Sequence, residues 1–175
     1  MNKTFTDEII LKFKELNQEK IDEVKNEILN IKKQSGTVFL FGNGASSSIA
    51  DHLSVDLTKV NKIKSRSFNI STLITCYGND YGFENIFTEC IKSYVDNNDL
   101  CIFISSSGES RNVVYASNHC KMKHIKNITL TGFKKNNALS QTGNINIHVN
   151  STNYNVIETV HQTILLSIVE DLKTS

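Results

Sequence analysis

Proline and tryptophan are absent from the 175 residues, glycine is limited to eight, and charge of neither sign prevails. Nineteen Lys and Arg stand against 18 Asp and Glu, a formal net charge of +1. So balanced a chain is neither a basic coat for nucleic acid nor an acidic tail, and electrostatics name no partner. Its 39% hydrophobic content also excludes a disordered chain. No apolar run approaches the ~18–20 residues that cross a bilayer. Asp7 and Glu8 precede any apolar stretch of a leader, so the expectation is a cytoplasmic protein without membrane contact. The four cysteines, Cys76, Cys90, Cys101 and Cys120, form no C-x-x-C pair, and in a reducing compartment they read as free thiols. No linker, low-complexity tract or sequence repeat divides the chain. Residues 1–175 are therefore read as one domain with a buried core, a helical segment over 1–35 and an α/β body over 37–172.

What is plentiful is Asn, with 21 residues, and Ser, with 18. Their positions matter more than their number. Residues 6–33 carry Ile9, Phe13, Leu16, Ile21, Val24, Ile28 and Ile31 at helical spacing among Lys and Glu, one long helix or two in succession, and Gly36 supplies the stop. Thr37-Val38-Phe39-Leu40-Phe41 is a continuous apolar run of the kind that forms a buried parallel strand. It leads into Gly42-Asn43-Gly44-Ala45-Ser46-Ser47-Ser48, and residues 49–60 then read as a helix. The grammar repeats: strand 100–104, the loop Ser105-Ser106-Ser107-Gly108-Glu109-Ser110, and a helix over 111–122. Between the units lie a candidate strand, 66–70, and a helix, 84–95; after them come strands at 127–131 and 145–149 and a closing helix, 153–172. Two strand–loop–helix units predict a parallel sheet covered by helices.

A loop of small residues between a buried strand and a helix exposes backbone N–H groups at the positive end of the helix dipole, where an anion is stabilised. Four hydroxyls around Gly108 can surround a phosphate without Lys or Arg, although Ser and Gly also serve as plain turn and capping residues. A second such loop at the end of another strand favours the phosphate reading, because α/β sheets bind ligands beyond the carboxyl ends of their strands. Neither the dinucleotide fingerprint nor a Walker motif is complete. His52 and Asp56, four apart, share a helical face just beyond the first loop. That spacing suits a metal pair, a base beside an orienting imidazole, or a locally paired surface.

Five motifs occur in one order: Phe41-Gly42-Asn43-Gly44-Ala45-Ser46 with His52 and Asp56; the stretch from Gly78 to Phe87; Ser105-x-Ser107-Gly108-x-Ser110-x-Asn112; Leu130-Thr131-Gly132; and Ile157-Glu158-x-x-His161. In this the chain resembles the SIS (sugar isomerase) domain family, and within it the phosphoheptose isomerases. The resemblance implies a flavodoxin-like parallel sheet and a homotetramer with active sites between subunits. It implies a sugar-phosphate substrate held through Asn43, Gly44, Ser46 and Asp80 and on Ser105, Ser106, Ser107 and Ser110. It also implies an aldose–ketose isomerisation through an enediol, sedoheptulose 7-phosphate giving a glycero-manno-heptose 7-phosphate for lipopolysaccharide or capsule.

Such chemistry needs a base that moves a proton between two carbons and a group that stabilises charge on the carbonyl oxygen. By the resemblance Asp56 is the base, standing where the family usually has Glu, one methylene longer. Glu158 stands at a usual Gln, and Leu166 at the position of the family's last-helix His. His161, three residues beyond Glu158, is then the remaining imidazole of that helix and the candidate acid. Some relatives bind zinc, and His52, Asp56, Glu158 and His161 are the candidate zinc set here. His119, His124 and His148 read as solvated.

Overall fold

The computed structural model describes residues 3–173. Two helices, α1 (Lys3–Lys14) and α2 (Gln18–Lys33), occupy the N-terminal segment. They separate where Asn17 caps α2, its side-chain oxygen accepting from the Lys20 N–H at 3.2 Å. The left-handed residue that ends α2 is Ser35, φ 59°, rather than the expected Gly36. The chain continues through β1 (Val38–Gly42), α3 (Ala45–Lys59), β2 (Ser65–Ser67), α4 (Ser71–Tyr81), α5 (Ile86–Tyr94), β3 (Leu100–Ser105), α6 (Arg111–Met122), β4 (Lys126–Thr131), β5 (Ile145–His148) and α7 (Tyr154–Leu172).

The five strands form one sheet in the order β2-β1-β3-β4-β5 with every neighbouring pair parallel. This is the flavodoxin-like order. Every residue of the central strand β3 is buried, which is why its sequence is apolar without alternation. Strand residues divide between two layers. Val38, Leu40, Leu100, Ile102, Ile104, Ile128 and Leu130 join the apolar faces of α2, α3 and α7. Phe39, Phe41, Cys101 and Phe103 join α5 and α6 on the other face, where Phe41 stacks on Phe68 and Phe103 at ring-centre distances of 5.3 and 5.0 Å.

Two elements differ from expectation. The strand predicted over 66–70 is only three residues long, because Ser67 and Asn69 turn to donate to the two oxygens of Asp51 on α3, at 2.5 and 2.8 Å. Helix α4 was not foreseen: its apolar face is short, Leu73, Ile74 and Tyr77, and these side chains pack on the core while none of the helix's residues is fully buried.

The chain leaves β1 toward β2 and leaves β3 toward β4, on opposite sides. The loops after β1 and β3 therefore diverge at their carboxyl ends and open a crevice at the topological switch point. Residues 43–46 on one side and Ser105, Ser106, Ser107 and Ser110 on the other line that crevice.

Candidate active site

Gly44 is the residue before α3 and has φ +54° with open space around it, so its lack of a side chain serves the backbone turn. The turn brings Ala45 and Ser46, at the positive end of α3, to the crevice wall. Gly108 makes the second turn at φ +67°, and a Cβ there would lie 2.0 Å from Asn137 Oδ1. Its N–H donates to Ser105 Oγ at 3.2 Å, while Ser107 Oγ accepts from the Glu109 N–H at 3.2 Å. Ser110 precedes α6 and makes no side-chain cap, which leaves its hydroxyl beside Ser105 Oγ at 3.5 Å.

The two loops are tied by reciprocal amide bonds. Asn43 Nδ2 donates to Asn112 Oδ1 at 2.8 Å, and Asn112 Nδ2 donates to Asn43 Oδ1 at 2.9 Å. Asn112 is buried and also accepts from the Val113 N–H. The resulting crevice of about 250 Å³ is lined by Asn43, Gly44, Ser46, Ser105, Ser106, Ser107 and Ser110, together with Tyr154 and Glu158. Tyr154 is held by Phe133, ring centres 4.7 Å apart. No Lys or Arg among the described residues lines it. Its anion-binding capacity therefore lies in hydroxyls, backbone N–H groups and two helix N-termini.

Glu158 belongs to two cavities. Its Oε1 accepts from Ser106 Oγ at 3.4 Å in the crevice. It also lines an adjoining cavity of about 590 Å³ with His52 and Gln162. His52 Nε2 lies 3.3 Å from Asp56 Oδ2, and His52 Nδ1 lies 3.2 Å from Gln162 Nε2. A hydroxyl-lined crevice thus adjoins a cavity that His52 lines, with the Glu158 carboxylate as the shared wall.

His161 does not join this group. α7 packs on the sheet with Val160, Ile164 and Leu165 buried, and the position three past Glu158 turns inward with them. The fully buried ring donates from Nε2 to the Thr131 carbonyl at 3.2 Å, and its Nδ1 has no hydrogen-bond partner among the described residues. Burial pushes its pKa down to about 4, against the opposing Thr131 carbonyl and with some help from His148. The ring is therefore a neutral core imidazole. The expected catalytic and ligating role of His161 is not met within this chain, and the four candidate zinc ligands do not converge. Among the described residues no three His, Cys, Asp or Glu side chains cluster as metal ligands would.

Two further placements differ from the sequence reading. Asp80, near the end of α4, accepts from Asn79 Nδ2 at 2.9 Å and lies outside the crevice of its own chain. His148 is half-buried rather than solvated, with Nδ1 3.2 Å from Thr131 Oγ1, and burial and Lys135 lower its pKa. A separate cavity of about 370 Å³ lies along β5, but its Lys20, Asn17 and Asn146 already bond neighbouring structure. The sequence reading assigned no role to Asn112, Tyr154 or Gln162. Only Asn112 carried a signal, as part of the second loop motif.

An α/β sheet of this order, with a hydroxyl-lined crevice at its switch point, is a ligand-binding architecture that serves many activities. The family model described as the SIS domain matches residues 4–132, and the chain belongs to the SIS sugar-phosphate isomerase family. It is 35% identical over 143 residues to the phosphoheptose isomerase of Colwellia psychrerythraea, covering 77% of this chain and 72% of that protein. The phosphoheptose isomerase of Thermodesulfovibrio yellowstonii is 31% identical over 163 residues, covering 87% and 80%. In fold, the chain matches the structure of a phosphoheptose isomerase from Francisella tularensis with a TM-score of 0.88 at 24% identity, covering 98% and 94%.

Proposed function

We propose that the protein is an aldose–ketose isomerase of a heptose 7-phosphate, converting sedoheptulose 7-phosphate to a glycero-manno-heptose 7-phosphate for surface-polysaccharide heptose. One observation carries this reading: the crevice that can hold the phosphate and the cavity lined by His52, whose Nε2 lies 3.3 Å from Asp56 Oδ2, share Glu158 as a common wall. The phosphate sits on Ser105, Ser106, Ser107 and Ser110 at the start of α6, and Asn43, Gly44 and Ser46 contact the sugar. The sugar chain runs past Glu158 toward His52. Asp56 takes the proton from C1 of the ketose and returns it to C2 of the enediol, while the His52 N–H orients the carboxylate. Glu158 is the second acid–base group and exchanges the proton that moves between the two oxygens. The working unit is a homotetramer in which α4 of a neighbouring copy brings Asp80 to the site. No step requires the zinc set, whose members do not converge within one chain.

Leu166 and the inward-turned His161 favour a second reading, a sugar-phosphate-binding protein that does not turn its ligand over. Incubation with sedoheptulose 7-phosphate, with and without Zn²⁺, separates the two. The isomerase forms the aldose and incorporates solvent deuterium at the carbons that exchange a proton. Tight binding without product and without exchange establishes the second reading.

A further inference from the structure

We infer that Gln162 is a positioning residue, which locks the His52 imidazole into the tautomer and orientation that present its N–H to Asp56. The effect on turnover rests on the isomerase reading above; the state of the ring does not.

The His52 side chain is 47% exposed. An imidazole so open to water has a soft second torsion angle and two tautomers of similar energy. Two hydrogen bonds from different helices remove that freedom. Asp56, one turn along α3, presents a carboxylate oxygen as acceptor, so a hydrogen belongs on His52 Nε2, 3.3 Å from Asp56 Oδ2. A ring with its single hydrogen on Nε2 offers Nδ1 as an acceptor. From α7, 110 residues away in sequence, the Gln162 amide nitrogen stands 3.2 Å from it as the matching donor. The two assignments agree with one another, and each ring nitrogen has a partner of the required kind.

The placement follows from the helix. Gln162 is four residues past Glu158, about 40° round α7, and shares its face, whereas His161 at three residues falls on the buried side. Leu166, a further turn along, offers no polar group to that face. Among the described residues, Gln162 is thus the one through which α7 hydrogen-bonds His52. Remove the amide and the ring keeps one anchor, bonded within its own helix, about which it can turn over and offer Asp56 the wrong nitrogen.

Gln162→Met keeps length and bulk without a donor, and Gln162→Ala removes both. Long-range ¹H–¹⁵N spectra of the imidazoles report the His52 tautomer, and steady-state kinetics with sedoheptulose 7-phosphate separate kcat from KM. Wild type shows His52 in the Nε2–H tautomer. Both variants show mixed tautomers, with kcat lower by about threefold to tenfold, the range of one hydrogen bond, and KM unchanged. An unchanged tautomer in both variants overturns the inference, as does an unchanged kcat in an active enzyme. A tautomer shift in a protein that is inactive as wild type overturns the isomerase reading and leaves the positioning of His52 intact.

Discussion

Five serine hydroxyls, and no cation among the described residues, line the crevice that we read as the phosphate site. Ser107 already accepts from the Glu109 N–H, which fixes its oxygen and leaves its hydrogen to donate to a ligand, whereas Ser105 accepts from the Gly108 N–H and donates to Ser110 Oγ. Ser107→Ala and Ser110→Ala should each weaken sugar-phosphate binding about threefold to tenfold, measured by isothermal titration, at the usual net worth of one hydrogen bond. Unaltered affinity in both variants would remove the cradle. His161 makes a different kind of prediction. Its folded pKa is about 4, below the ordinary 6.5, so the unfolded chain binds the proton more readily. Its contribution to stability is intact above pH 6.5 and is lost as the pH falls from about 6.5 toward 4, on the order of 2–3 kcal/mol in all. His161→Gln should flatten the acid limb of stability between pH 7 and 4.5 in urea titrations; an unchanged limb would contradict the burial of a neutral ring. Both residues were legible in the sequence as candidates. The serines fell where a loop between strand and helix puts them, but the direction in which His161 points depends on how α7 is rotated against the sheet.

At the scale of elements, the site depends on the loops after β1 and β3 being held at one separation. The Asn43–Asn112 amide pair is the tie. Asn112→Ala leaves the Asn43 amide and the Val113 N–H without this partner, at a cost of about 1–3 kcal/mol. It should lower the melting temperature by several degrees and weaken ligand binding together with it; loss of neither would show that the loops are held by other contacts. The motif containing Asn112 was visible in sequence, but its reciprocal bond to Asn43 was not, since the two lie 69 residues apart. Strands β1 and β3 were legible for a simple reason: a parallel strand covered on both faces is apolar throughout. Helix α4 was harder to read because it is short and its packed face, Leu73, Ile74 and Tyr77, is only partly buried against the core.

For the whole molecule, α4 and the turn after it leave apolar surface uncovered. Ile70, Tyr81 and Phe83 are 39%, 52% and 58% exposed, adjacent to Asp80, whose carboxylate does not reach the crevice of its own chain. The proposed tetramer covers these rings and brings Asp80 to a neighbouring site. Sedimentation equilibrium should therefore give four times the 19.7 kDa chain mass. Tyr81→Ser with Phe83→Ser should shift the protein toward smaller species and reduce turnover in parallel. A wild-type monomer that isomerises sedoheptulose 7-phosphate would show that the site is complete in one chain.

The sequence by itself determined what local pattern and loop chemistry can determine. The unbroken apolar runs required a buried parallel sheet, and the small residues after two of them required open helix N-termini. The motif order pointed to the family. The tertiary structure decided everything that depends on packing angle. The rotation of α7 against the sheet made His161 a core residue and brought Gln162, which carried no pattern of its own, to His52. The strand order placed two distant loops side by side at one switch point. A residue's type and spacing limit the faces it can share on its own helix, but only the docking of that helix decides which face meets the site.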